Sequence, residues 1–101
     1  MDIKVAQAEV LAWDRARGWD GFQPLEVFAN MNEEISEIWQ KIAWVEAAQK
    51  QARAREHREA IEFDVGDLLR LVLTLANQFD VDAERGLARV MEDFSRRHPP
   101  K

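Results

Sequence analysis

Two pairs of acids in this chain invite a chemical reading. Glu34 and Glu37 stand three residues apart, with Glu33 beside them, in "NEEISEIW", Asn32 to Trp39. Asp64 and Asp67 repeat that spacing around Gly66 in "FDVGDLLRLVL", Phe63 to Leu73. On a helix, side chains three apart stack on one face. Two carboxylates about 5.5 Å apart repel by roughly 3 kcal/mol at an effective dielectric of 20. Four of them gathered near a core therefore need something to neutralise them. Mg²⁺ is the natural candidate, with Mn²⁺ as an alternative, because it takes hard oxygen ligands and keeps waters to share with phosphates. The other reading of the same residues is a solvated helix face, where acid pairs are common.

Which reading holds depends on the elements that carry the acids. Ile3, Ala6, Val10 and Trp13 recur at helical spacing and predict a first helix over Ile3 to Arg17, with Gly18 as its stop. "GWDGFQP", Gly18 to Pro24, is the clearest loop, and Pro24 suits the first turn of a second helix. From there Phe28, Met31, Ile35, Ile38, Ile42 and Val45 step by threes and fours, the pattern of a packing seam. The seam fades through residues 46 to 60, which read as a helical extension or a charged connector. It resumes at Ile61, Val65, Leu68, Val72, Leu75 and Phe79, so the third helix starts before Gly66 and runs through it. "FDVD", Phe79 to Asp82, makes a short connection with Asp82 as N-cap, and a last helix spans Ala83 to about Arg97. The expectation is a single all-α domain over residues 1–101, a four-helix bundle centred on the second and third helices. At 100° per residue, Glu34 falls roughly 70° and Glu37 roughly 130° from the centre of their seam. Asp64 and Asp67 fall roughly 60° and 120° from theirs, again to one side. Each seam helix thus places one acid on its apolar margin and one further out.

Composition narrows the class. With 101 residues, 47 % hydrophobic, four Gly and three Pro, the chain has enough apolar material for one core and few turns. There is no Cys, which removes disulfides and thiolate metal sites and fits a reducing cytoplasm. No apolar run reaches membrane-span length. A net charge of −5 does not favour nucleic acid as a partner. His57 and His98 lie in charged segments and make no zinc or catalytic constellation. Trp39 and Trp44 read as core or subunit interface. No Ser-His-Asp arrangement or Gly-rich phosphate loop is present.

"NEEISEIW" and "DVGDLLRLVLTLANQFDVD", Asp64 to Asp82, resemble the MazG-like all-α nucleoside triphosphate pyrophosphohydrolases. That family carries E-E-x-x-E on one helix and E-x-x-D on the next, followed by an apolar run and an "L-G-I-D"-like turn. "RGWDGFQP", Arg17 to Pro24, is similar to the family's entry loop, and "SRRHP", Ser95 to Pro99, to its ending. The resemblance covers about Leu11 to Pro99. It implies cleavage of a (deoxy)nucleoside triphosphate to monophosphate and pyrophosphate, including house-cleaning of non-canonical nucleotides. It makes Glu34, Glu37, Asp64 and Asp67 the Mg²⁺ ligands and Glu33 an outer carboxylate that orients the attacking water. Trp19 and Phe22 become candidates to stack on the base, or else aromatics that pin the loop. Asn77 is a candidate polar contact to nucleotide or a helix-end residue, and Arg89, Arg96 or Arg97 candidate phosphate contacts. Three positions depart from the family: Asp64 stands for a Glu, Gly66 for a small residue such as Ala, and Val90 and Phe94 for a Lys and an Asn. The last departure supports an alternative, a non-catalytic helical assembly protein that kept the fold. A further variant is a relative acting on another phosphoanhydride such as phosphoribosyl-ATP. So small a unit with such long seams is expected to self-associate as a homodimer or a dimer of dimers, with the site near the subunit interface.

Overall fold

The computed structural model describes residues 2–101, and every element in it is helical or a turn. In order these are α1 (Ile3–Ala16), α2 (Pro24–Gln40), a 3₁₀ turn (Ala47–Gln49), α3 (Lys50–Glu56), α4 (Arg58–Gln78) and α5 (Ala83–Arg97). The all-α class stands, but five α-helices replace the expected four. The extra one, α3, lies in the stretch that pattern left open. It meets α4 at His57, whose N–H is shared between the Arg53 and Ala54 carbonyls. No helix of the described residues is long and apolar enough to cross a membrane.

The seam overran the second helix. Ile42 and Val45 keep the apolar rhythm, yet α2 ends at Gln40. The Lys41 and Ile42 N–H groups tighten onto the Ile38 and Trp39 carbonyls. The Lys50 ammonium then gathers the carbonyls of Ile42, Ala43 and Val45 at 2.9, 3.3 and 3.1 Å. It also sits 5.3 Å from the centre of the Trp39 ring. A cation that satisfies three loop carbonyls removes the need to continue the helix for hydrogen bonding.

The chain divides into two compact units, Gln23–Val72 and Met1–Phe22 with Leu73–Lys101. In the first, the buried stripes keep Met31, Ile38, Ile61 and Leu68 from the expected seams but take in Val27, Glu34, Asp64 and Leu71 in place of Phe28, Ile35, Val65 and Val72. On α2 the stripe runs Val27, Met31, Glu34 and Ile38, with Val27 buried and the others half-buried. On α4 it runs Ile61, Asp64, Leu68 and Leu71, with Asp64 and Leu71 buried. Glu34 and Asp64 therefore sit inside the buried stripes rather than on their margins. The seam residues Phe28, Ile35, Val65 and Val72 stay exposed.

The second unit is tied by side-chain amides. Gln7 of α1 donates to Asn77 Oδ1 at 3.0 Å and to the Val81 carbonyl at 2.8 Å, and it accepts from the Ala83 N–H. Asn77 donates back to the Gln7 carbonyl. Asp82 caps α5 as expected, its carboxylate accepting from the Arg85 N–H at 3.1 Å. Asp14 is the most deeply buried side chain here, at 1 % exposure, and accepts from the Thr74 hydroxyl at 2.8 Å.

Two helices in this unit end in the same motif with different residues. After α1, the Trp19 N–H reaches the Asp14 carbonyl and the Gly18 N–H the Arg15 carbonyl. After α4, the Val81 N–H reaches the Ala76 carbonyl and the Asp80 N–H the Asn77 carbonyl. This pairing requires a left-handed residue at the turn. Gly18 supplies it without strain at φ +72°, whereas Asp80 adopts φ +54° with a side chain. Asp80 also places a negative charge at the negative end of the α4 dipole. Asp80→Gly is therefore expected to raise stability by about 1 kcal/mol in urea unfolding at neutral pH.

Candidate functional site

The acids of α2 and α4 all belong to the unit Gln23–Val72. Pro24 opens α2 at its first turn, and the helix that follows stacks Glu34 and Glu37, three residues apart, on one side. On α4 the helix continues unbroken through Gly66, so Asp64 and Asp67 keep the same spacing. Carboxylate oxygens of Glu34, Glu37 and Asp64 all lie within 4.8 Å of one another. Asp64 is buried, Glu34 half-buried and Glu37 exposed, so the trio runs from the interior outwards.

Each acid meets a different counter-measure. Lys41, the first residue beyond α2, donates its ammonium to Asp64 Oδ2 and to the Glu37 carbonyl. Asp67 stands outside the trio and is taken by Arg70, whose Nε and Nη2 reach Oδ1 at 2.9 and 2.8 Å. Glu34 has no cation: its Oε2 is buried with no hydrogen-bond partner. Burial first, and then Asp67, Glu37 and Asp64, raise the Glu34 carboxyl from 4.5 to about 7. Glu33 is exposed on the outer face of α2.

The donor set suits a hard divalent cation. All donors are carboxylate oxygens, one is buried and unpartnered, and the three converge within 4.8 Å, the hard-oxygen set that such an ion takes. A cation would relieve the repulsion that raises Glu34.

The candidate substrate contacts Trp19, Phe22, Asn77 and Arg89 belong to the second unit. Trp19 packs edge-on against Trp13 with ring centres 5.4 Å apart, and Phe22 against Phe79 at 5.3 Å. Both loop aromatics are thus pinned by another ring while half or more of each stays exposed. The amide of Asn77 is taken up by Gln7, which gives it a structural role. Arg89 is exposed on α5, beside Val90 and Phe94. Sequence reasoning missed Lys41, Arg70 and Asp14. Arg70 was legible as the i+3 partner of Asp67, and Asp14 as the residue one helical turn after Val10 on the apolar stripe.

Comparison with known proteins agrees with this architecture. Residues 22–100 match the MazG nucleotide pyrophosphohydrolase domain, and the chain belongs to that family. The match runs across both compact units. A relative in Bacillus subtilis (strain 168), the uncharacterized protein YpjD, is 32 % identical over 76 residues, covering 75 % of this chain and 68 % of that one. No solved structure matches the chain significantly.

The raised Glu34 carboxyl has a thermodynamic consequence. Between pH 4.5 and about 7 the folded chain holds a proton that the unfolded chain has released. Stability must then fall as pH rises through that window. Thermal unfolding of metal-free protein in chelator is expected to show this decline, and Glu34→Gln to flatten it. Excess divalent cation should reverse the slope, because binding competes with the proton.

Proposed function

We propose that this chain is a Mg²⁺-dependent nucleotide pyrophosphohydrolase, cleaving a (deoxy)nucleoside triphosphate to the monophosphate and pyrophosphate. The observation that carries this reading is the convergence of Glu34, Glu37 and Asp64 within 4.8 Å in a member of the MazG family. Those three and Asp67 hold the metal, which supplies neutralisation of phosphate charge and a more acidic water. Glu33 orients the attacking water and takes its proton as the anhydride splits and pyrophosphate leaves. Trp19 and Phe22 offer ring faces for the base, and Arg89 a charge for phosphate. The natural substrates in this reading are canonical or damaged nucleotides, in the manner of a house-cleaning enzyme of the cytoplasm.

Self-association as a homodimer or dimer of dimers is part of the proposal. Trp44, Leu25 and Phe63 are 88, 79 and 76 % exposed in the single chain, and Phe28, Ile35, Val65 and Val72 add to the uncovered apolar surface. Surface of this kind usually marks an interface. Light scattering at micromolar concentration is expected to give at least twice the monomer mass.

A second reading, a helical assembly protein without catalysis, draws on α5, where Leu87, Val90, Met91 and Phe94 are all exposed. Incubation with a panel of triphosphates and Mg²⁺, with pyrophosphate as readout, separates the two. Turnover is expected, and Glu37→Ala or Asp67→Ala should lower kcat/KM by on the order of 100-fold or more. Unchanged activity in both variants would overturn the site assignment. No turnover of any nucleotide, together with no stabilisation by Mg²⁺, favours the assembly reading.

A further inference from the structure

We propose that Lys41 is the resident counter-ion of the acid cluster, holding Asp64 in the metal-free protein and yielding it to the divalent cation. The inference rests on the metal reading above and extends it to a residue outside the acid motifs. Lys41 follows the last residue of α2, where the helix dipole favours a cation. Its ammonium is bound at two points, Asp64 Oδ2 and the Glu37 carbonyl at 3.3 Å, and its side chain is only 24 % exposed. Asp64 is one of the three converging carboxylates, so Lys41 holds a side chain that a metal would also use.

Two cations face the four carboxylates, Lys41 on Asp64 and Arg70 on Asp67. Of the two cations, Lys41 is the one placed to leave. Arg70 holds Asp67 outside the trio, through a planar fork whose Nε and Nη2 both reach Oδ1. Lys41 is a point charge on a flexible four-carbon stem. When Asp64 is withdrawn, the ammonium keeps the Glu37 carbonyl as an anchor. Lys41 is thus a positioning residue: it limits repulsion in the metal-free fold and lowers metal affinity by the cost of its own displacement.

Calorimetric titration of metal-free protein with Mg²⁺ tests this, using wild type, Lys41→Met and Lys41→Arg. Lys41→Met is expected to bind Mg²⁺ about tenfold more tightly, the order set by freeing a carboxylate from one partly buried ion pair. Lys41→Arg keeps the competing charge and should bind no more tightly than wild type. In parallel, limited acetylation of wild type read by peptide mass spectrometry should label Lys41 several-fold faster with Mg²⁺ than without it. Equal or weaker binding by Lys41→Met overturns the proposal while leaving the metal site standing. Absence of Mg²⁺ uptake by all three proteins overturns both. If Lys41→Met does not fold, the wild-type labelling decides, and a rate insensitive to Mg²⁺ counts against the proposal.

Discussion

Repulsion between like charges is the constraint around which the unit Gln23–Val72 is arranged. Two carboxylates 4.8 Å apart, the outer limit within the Glu34, Glu37 and Asp64 trio, repel by roughly 3 to 4 kcal/mol at an effective dielectric of 20. A small domain has only about 5 to 15 kcal/mol of net stability to set against such terms. The chain meets the cost at three separate points. Asp64 is paired with an ammonium, Asp67 with a guanidinium, and Glu34 keeps its proton to about pH 7. Glu37 alone is left to solvent. An acidic face with only a solvation role would not need an acid on the buried stripe, and this is where Glu34 and Asp64 lie.

The helices act as rulers for this arrangement. An i, i+3 spacing on each of α2 and α4 puts the inner and outer acid of each pair a fixed distance apart along the axis. Asp64 has one methylene less than the glutamate usual in the family, yet its oxygen still joins Glu34 and Glu37. The buried position of Asp64 accounts for that. A side chain already facing into the unit does not need the longer reach, and Lys41 approaches it from the end of the opposite helix.

Much of this was legible from residue types alone. Gly18, Pro24 and Asp82 mark helix ends by local chemistry, and the structure uses each of them as marked. Continuity of α4 through Gly66 followed from Ile61 and Val65 lying in phase with Leu68. Part of each seam gave way to a neighbouring residue, because periodicity counts apolar side chains and passes over Glu34 and Asp64. A count of apolar side chains does not register a buried acid, and Asp14 on α1 shows only in its position one turn after Val10. The end of α2 was missed for a different reason. Nothing local stops a helix at Gln40, and the carbonyls beyond it are satisfied by Lys50, whose position relative to Ile42 and Val45 exists only once the chain has turned.

The displaced stripes also explain why a chain with so much apolar material buries little of it. Val27 and Leu71 lie on the same stripes as Glu34 and Asp64, so packing in this unit is shared between apolar residues and acids. Phe28, Ile35, Val65 and Val72 are in phase with one another but on the adjacent stripe, and they remain exposed. A sequence selected only to fold alone would gain by placing its buried and its periodic residues on one line. Here the inner acids lie roughly 60 to 70° from the centre of the line through the larger apolar side chains. That offset lets each helix serve an acid cluster on one stripe and keep an apolar stripe for contact with another surface. The two demands would conflict if both had to be met by the same residues.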